Sequence, residues 1–195
     1  MPRADDPRPA RTRAAIATAV ESLSLRGAEV TVPALADAAG ISRSTFYAQY
    51  RDLDALAVAI LSEAFAAIEA EDLEMRQSDR ARSAAAVATR RLVTEFSRRR
   101  ALYAGVLGSR ASATAMRAVQ SAFAEQALGT IRLLAPAHID HRMAADHLAG
   151  GTLAVIAAWL LADDPPDPEY LQQQLLALLP AWLIADDSPD ERNPS

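Results

Sequence analysis

An all-α protein of about nine helices is predicted by three features of the sequence. These are an Ala- and Leu-rich background with few β-branched runs, only seven glycines in 195 residues, and apolar positions that recur at helical spacing. Ala, Leu, Arg and Glu lose little conformational entropy on entering a helix, so such a background sustains helices throughout. A chain of this length with 51% hydrophobic residues can bury a substantial core. Apolar residues never run unbroken for the roughly 20 positions of a membrane span, and the polar start MPRADDPRPARTR lacks a signal peptide's apolar segment. A cytoplasmic protein without membrane contact is therefore expected. The absence of cysteine excludes disulfides, thiol catalysis and cysteine-based zinc or iron–sulfur sites.

Residues 1–9 read as a disordered arm. Ile16, Ala19, Val20 and Leu23 recur at i, i+3, i+4 and i+7 to define a first helix, with Gly27 as its C-cap. Thr31 is an N-cap ahead of Val32-Pro33 and opens a short second helix through Ala39, which Gly40 ends. Ser42 caps a third helix over 43–50, and Asp52 caps a fourth that carries Leu56, Ile60, Phe65 and Ile68 to about residue 75. The polar stretch at 76–79 is the best break between a small N-terminal unit and a larger C-terminal one. The helix-turn-helix proper is assigned to 10–55 and the remaining bundle to 56–186. Further helices are expected over 81–98, 100–108, 112–134, 140–163 and 168–186, with a disordered tail over 187–195.

The net charge of −5 is unevenly spread: residues 1–51 hold seven Arg against five Asp/Glu, and residues 52–195 hold thirteen against twenty. The basic end is the N-terminal one, and the acidic remainder would be repelled by phosphate. All basic residues are arginine.

Between Thr31 and Tyr50, two short helices meet at a turn with Gly at its tight position, which is the sequence form of a helix-turn-helix. Gly40 supplies the positive φ of a sharp turn, Ala36 permits a close crossing, and Leu35, Ile41, Phe46 and Tyr50 supply the shared core. The other faces of the second of these helices carry Arg43, Ser44, Thr45, Tyr47, Ala48 and Gln49, and Ser42 precedes them, all suited to phosphates or base edges.

On these residues the segment 12–60 resembles the DNA-binding region of the TetR (tetracycline repressor) family. The pattern runs Thr12, Ala19, Leu23, Gly27, Thr31-Val32, Leu35-Ala36, Ala39-Gly40-Ile41-Ser42, Thr45-Phe46-Tyr47, Tyr50 and Asp54-x-Leu56. The resemblance implies that Tyr47 contacts a phosphate, that Thr31 and Val32 present the second helix to the backbone, and that Arg43, Thr45, Ala48 and Gln49 face bases. Arg43 is the expected sequence reader, since its fork matches guanine O6 and N7. Where the family usually has a phosphate-binding lysine at the start of the fourth helix, this chain has Leu53. That contact is lost or taken over by Arg51, so affinity is expected to lean on the arm residues Arg3, Arg8, Arg11 and Arg13; for Arg43, Arg11 and Arg13 singly a solvated surface role is the alternative.

For the C-terminal region the resemblance implies a ligand-binding bundle whose last two helices pair in a homodimer. Leu148, Gly151, Val155 and Trp159 share one face of 140–163, while Leu171, Leu175, Leu178, Leu179 and Trp182 form a stripe on 168–186. Two such helices and their symmetry mates would make a four-helix interface; alternatively the stripes face the chain's own core. Phe96, Tyr103, Met116, Phe123 and Trp159 would line a pocket for an apolar or aromatic effector, with core packing the alternative for each. Arg98-Arg99-Arg100 reads as an anion site or a solvated helix end. His138, His141 and His147 lack a partner pattern, so neither metal nor cofactor is expected. No nucleophile–base pair, phosphate loop or paired carboxylates stand out, so no enzyme is expected. The expected function is a regulator of transcription, a repressor that binds a palindromic operator in double-stranded DNA and is released by a small-molecule effector. The alternative is a helical effector-binding or interaction protein with weak DNA binding.

Overall fold

The computed structural model describes residues 8–76, 81–108 and 113–184, which hold ten helices and no strand. The first three are α1 (Arg8–Leu25), α2 (Val32–Ala39) and α3 (Arg43–Gln49), and α4 (Leu53–Arg76) leads from them into a bundle. The bundle comprises α5 (Ala81–Arg98), α6 (Arg100–Gly108), α7 (Ala113–Leu134), α8 (His141–Leu161), α9 (Pro168–Ala177) and α10 (Ala181–Ile184). Residues 1–7, 77–79 and 187–195, which carry the rest of the expected arm, most of the expected break and the tail, lie outside the described residues. Arg8 and Pro9 belong to α1, not to an arm, because Pro is tolerated in a helix's first turn.

The helix ends follow from side-chain chemistry. Asp140 Oδ1 accepts from Met143 N at 2.8 Å, Asp167 Oδ1 from Glu169 N at 2.7 Å, and Asp52 Oδ1 from Ala55 N at 2.8 Å. Gly27 takes φ +63° after α1, and Ala28 N donates to Leu23 O at 3.0 Å. One expected helix is corrected: 168–186 is two helices, broken where Pro180 has no N–H to donate and biases Leu179 away from helical geometry. α4 passes through residues 55–56 without a break, so the two units share one helix.

A single apolar core runs through both units, from Ile16, Val20, Leu35 and Phe46 through Leu61, Phe65 and Phe96 to Ile156, Leu171 and Leu175. A smaller one joins Ala124, Leu128 and Ile131 of α7 to Ala145 and Ala149 of α8, with Leu148 and Trp182 partly buried against it. Gly150 makes room for Gln120, whose Nε2 donates to Asp146 O at 3.3 Å; a Cβ at Gly150 would lie 2.9 Å from that nitrogen. α8 is the one described helix long and apolar enough to cross a membrane, by length and composition only, and 33% of that stretch is buried. Arg142 on its first turn pairs with Asp146 at 3.0 Å and with Glu125 of α7. Its outward stripe is His147, Gly151, Ala154, Ala158 and Leu161, spaced to share one face.

Candidate nucleic-acid interface

The N-terminal unit is built around the turn between α2 and α3. Thr31 is extended (φ −126°, ψ 157°), and its Oγ1 accepts from Ala34 N at 3.3 Å, with Pro33 in the same first turn. Gly40 ends α2 in the left-handed region (φ 65°, ψ 33°), and Ile41 N closes the turn on Ala36 O at 3.0 Å. Ser42 then opens α3. Its Oγ accepts from Thr45 N at 3.0 Å and lies 2.8 Å from Thr45 Oγ1 and 2.7 Å from Ser44 Oγ. One serine therefore fixes both the start of α3 and two hydroxyls on its leading turn.

α3 is two-sided. Phe46 is fully buried, and Tyr50 packs on it with ring centroids 5.8 Å apart. Burial pushes the Tyr50 hydroxyl's pKa up, against a downward pull from Arg13. The opposite side presents Arg43, Ser44, Tyr47 and Ala48 to solvent, with Thr45 and Gln49 half-buried at its margins. The Tyr47 ring stands edge-on to Phe46, at 5.5 Å and 85°, which orients it while it stays 56% exposed. Thr31 and Val32 are half-buried at the start of α2, Val32 against the core, and Arg11 and Arg13 are exposed on α1.

Leu53, at the position of the departure, is partly buried against the core and seats the first turn of α4. Beside it, Arg51 is an exposed cation whose Nε donates to Asp52 Oδ2 at 2.7 Å. Asp52 is held low by the Ala55 amide and then by Arg51, so a single carboxylate caps α4 and tethers the arginine.

In the bundle, Phe96, Tyr103 and Phe123 lie together, and Phe65 joins them. Phe65 stacks on Phe123 (4.6 Å, 10°), and Phe96 lies 4.4 Å from Tyr103. Tyr103 donates to Glu95 Oε1 at 2.9 Å; burial, then that carboxylate, raises its hydroxyl's pKa well above 10.0. Trp159 is engaged elsewhere. Its Nε1 donates to Pro166 O at 2.7 Å, and the Arg100 guanidinium carbon lies 5.7 Å from its ring centroid. Met116 is half-buried two turns from Phe123 on α7. Within the arginine run, Arg98 pairs with Glu95 at 3.4 Å, whereas Arg100 donates from Nη2 to Ala162 O at 2.5 Å and is no solvated helix end.

The expected pairing residues divide. Leu171 and Leu175 are buried within the chain's own core and have no surface left for a partner. Leu148 and Trp182 pack on the smaller core and Val155 on the larger, while Gly151 and Leu178 are exposed. His138 and His147 are exposed and His141 half-buried, and no metal-binding group of side chains occurs among the described residues.

The capped pair α2–α3, set on α1 and joined by α4 to a helical bundle, defines a helix-turn-helix protein with an appended helical domain. Residues 15–60 match the family model described as bacterial regulatory proteins, tetR family. Two solved structures share the fold across nearly the whole chain. One is Thermus thermophilus FadR, a TetR-family transcriptional repressor in complex with lauroyl-CoA: 17% identity, TM-score 0.68, covering 94% of this chain and 99% of that one. The other is the multidrug binding protein EbrR complexed with imidazole: 21% identity, TM-score 0.56, covering 95% and 100%. At these identities the likeness is one of fold. No curated protein matches the chain.

Proposed function

We propose that the chain is a homodimeric, cytoplasmic repressor that reads a palindromic operator through α3 and leaves it when a small molecule enters the bundle. The observation that carries this reading is the outward side of α3, where Arg43, Ser44, Tyr47 and Ala48 stand exposed on a helix fixed by its Ser42 cap and Phe46 anchor. A short rigid helix with such a face fits the major groove. In this reading Arg43 forks to a guanine, Thr45, Ala48 and Gln49 meet neighbouring bases, and Ser42, Ser44, Tyr47, Thr31 and Val32 meet the backbone. Arg51 and Arg11 supply the phosphate contacts that Leu53 cannot.

Pairing is assigned to the exposed stripe of α8, Gly151, Ala154, Ala158 and Leu161, and to the exposed Leu178 that follows α9. Small residues let two such helices approach closely, and a two-fold contact places the same stripe on both sides. An effector site in the bundle is supported by the ligands named for the two fold relatives, lauroyl-CoA and imidazole. The aromatic group Phe65, Phe96, Tyr103 and Phe123 favours an apolar or aromatic effector.

The seating of Leu53 in the core favours one second reading, an interaction protein with weak DNA affinity. Selection of duplexes from a random-sequence pool by the purified full chain separates the two. A palindromic winner that Arg43→Ala and Tyr47→Phe bind more weakly is expected; failure to enrich any sequence, or wild-type affinity in both variants, refutes the main reading.

A further inference from the structure

Arg51 and Asp52 form the connection between the end of α3 and the start of α4, and the chain is pinned on either side of them. Tyr50 N donates to Phe46 O at 2.9 Å and its ring is buried, while Leu53 packs against the same core. Two residues between two core anchors have little backbone freedom, so Arg51 projects from a point fixed relative to α3.

Asp52 divides its carboxylate. Oδ1 accepts from Ala55 N at 2.8 Å and Asp52 O accepts from Leu56 N at 3.2 Å, which ties the residue to the first turn of α4. Oδ2 accepts from Arg51 Nε at 2.7 Å. Nε lies at the end of the aliphatic stem, so holding it restrains the whole side chain. The bond does not use the terminal nitrogens, the pair that forks onto a phosphate, and the Arg51 side chain is 85% exposed. An arginine held in this way loses less rotamer freedom on meeting a phosphate than a free one does. The same carboxylate, with Asp54 acting on Arg51 in the same sense, repels phosphate. For affinity alone a lone cation would serve better, so the pair suits a different task.

We infer that Asp52 is a positioning residue for DNA recognition: it holds Arg51 in the pose that meets a phosphate when α3 is in register, lowering total affinity and raising discrimination between operator and random duplex. The inference rests on the proposed reading of DNA by α3 and Arg51. Phosphate contacts carry no sequence information, but they fix register and orientation. A free arginine finds a phosphate on any duplex in any register. A tethered one adds its contact only where Arg43 and its neighbours are also seated.

The test measures binding of the full chain to the selected duplex and to an unrelated duplex of equal length over a range of salt concentrations. Asp52→Asn keeps an N-cap acceptor and removes the carboxylate. It is expected to bind the unrelated duplex about threefold more tightly and to lower the selected-to-unrelated ratio about fivefold, the size of two exposed ion pairs, one per subunit. Arg51→Lys, which keeps the charge without the planar fork, should lower the ratio similarly at an unchanged salt slope. Arg51→Ala should reduce the slope by about 1 per subunit. Adding Asp52→Asn to it should strengthen binding to both duplexes alike and leave the ratio where Arg51→Ala set it. A damaged cap would instead lower thermal stability and act equally with or without Arg51; Asp52→Ser, another good cap, repeats the comparison if the Asn variant is unstable. An Asp52→Asn ratio equal to wild type, or one that shifts as far in the Arg51→Ala background, overturns the positioning role. The Arg51 Nε–H signal in NMR reads the tether without DNA: slower hydrogen exchange in wild type than in Asp52→Asn is expected, and equal exchange overturns it. If the wild type enriches no duplex, the reading of α3 fails and the positioning role with it; if it enriches one and the ratio does not move, the positioning role alone falls.

Discussion

Gly40→Ala isolates the backbone cost of the turn that defines the N-terminal unit. Gly40 sits at φ 65°, and a Cβ built there meets nothing within 4 Å, so the added methyl brings no clash. What remains is the left-handed penalty for an L-residue, about 1–2 kcal/mol, partly offset by lower unfolded-state entropy. A loss of about 1 kcal/mol is expected, which for a chain of this size lowers Tm by about 2–4 °C. Gly40→Asn should lose less, because Asn tolerates that region. Gly27 has φ +63° and equally open space, so Gly27→Ala should cost the same. Gly151 also has open space but lies inside α8 without a positive φ, so Gly151→Ala should gain up to about 1 kcal/mol within one subunit while weakening the proposed dimer. Urea denaturation of the four variants measures these differences. The reasoning is refuted if Gly40→Ala is neutral, or if it costs 3 kcal/mol or more, since the latter would require a clash that the geometry lacks.

Other consequences follow from burial and titration. Leu175→Ala, at 4% exposure, should destabilise the chain by about 2–5 kcal/mol in urea, whereas Ala158→Glu on the exposed stripe of α8 should melt nearly as wild type yet sediment as a monomer. The raised Tyr103 pKa means that the folded state holds the phenol proton more tightly than the unfolded one. That contribution is whole below pH 10 and is lost as pH rises through 10 toward the folded value. Stability should therefore fall above about pH 10, and Tyr103→Phe should reduce the fall, with Tyr50, raised in the same direction, supplying the remainder.

Local chemistry was legible where one residue decides one backbone group. Thr31, Ser42 and Asp52 have the chemistry of caps, and each accepts from the amide three residues on. Gly27 and Gly40 mark helix stops in the sequence, and both adopt positive φ. Pro180 carried an equally local signal that the stripe Leu171, Leu175, Leu178, Leu179 and Trp182 obscured, since apolar spacing continues across a break in hydrogen bonding. The faces of α8 and α9 were harder to read. A helix rich in Ala, Leu and Gly is apolar all round, and periodicity cannot say whether a stripe such as Leu171 and Leu175 meets a partner or the chain's own core. The place of Phe65 depends on α7 arriving against α4 from nearly sixty residues away, and no spacing within α4 records that. Leu53 was legible as a departure, but its core contact emerges only once α4 is docked.

The central claim, that the exposed side of α3 reads DNA, is tested most directly by the salt dependence of wild-type binding to its selected duplex beside that of Arg43→Ala. The account predicts steep weakening for the wild type between 50 and 200 mM salt, on the order of 10³-fold or more if about six phosphates are contacted. It also predicts that Arg43→Ala loses discrimination at a single base position, by about 1–3 kcal/mol. Binding that is flat with salt, or an Arg43→Ala protein with unaltered base preference, would contradict it.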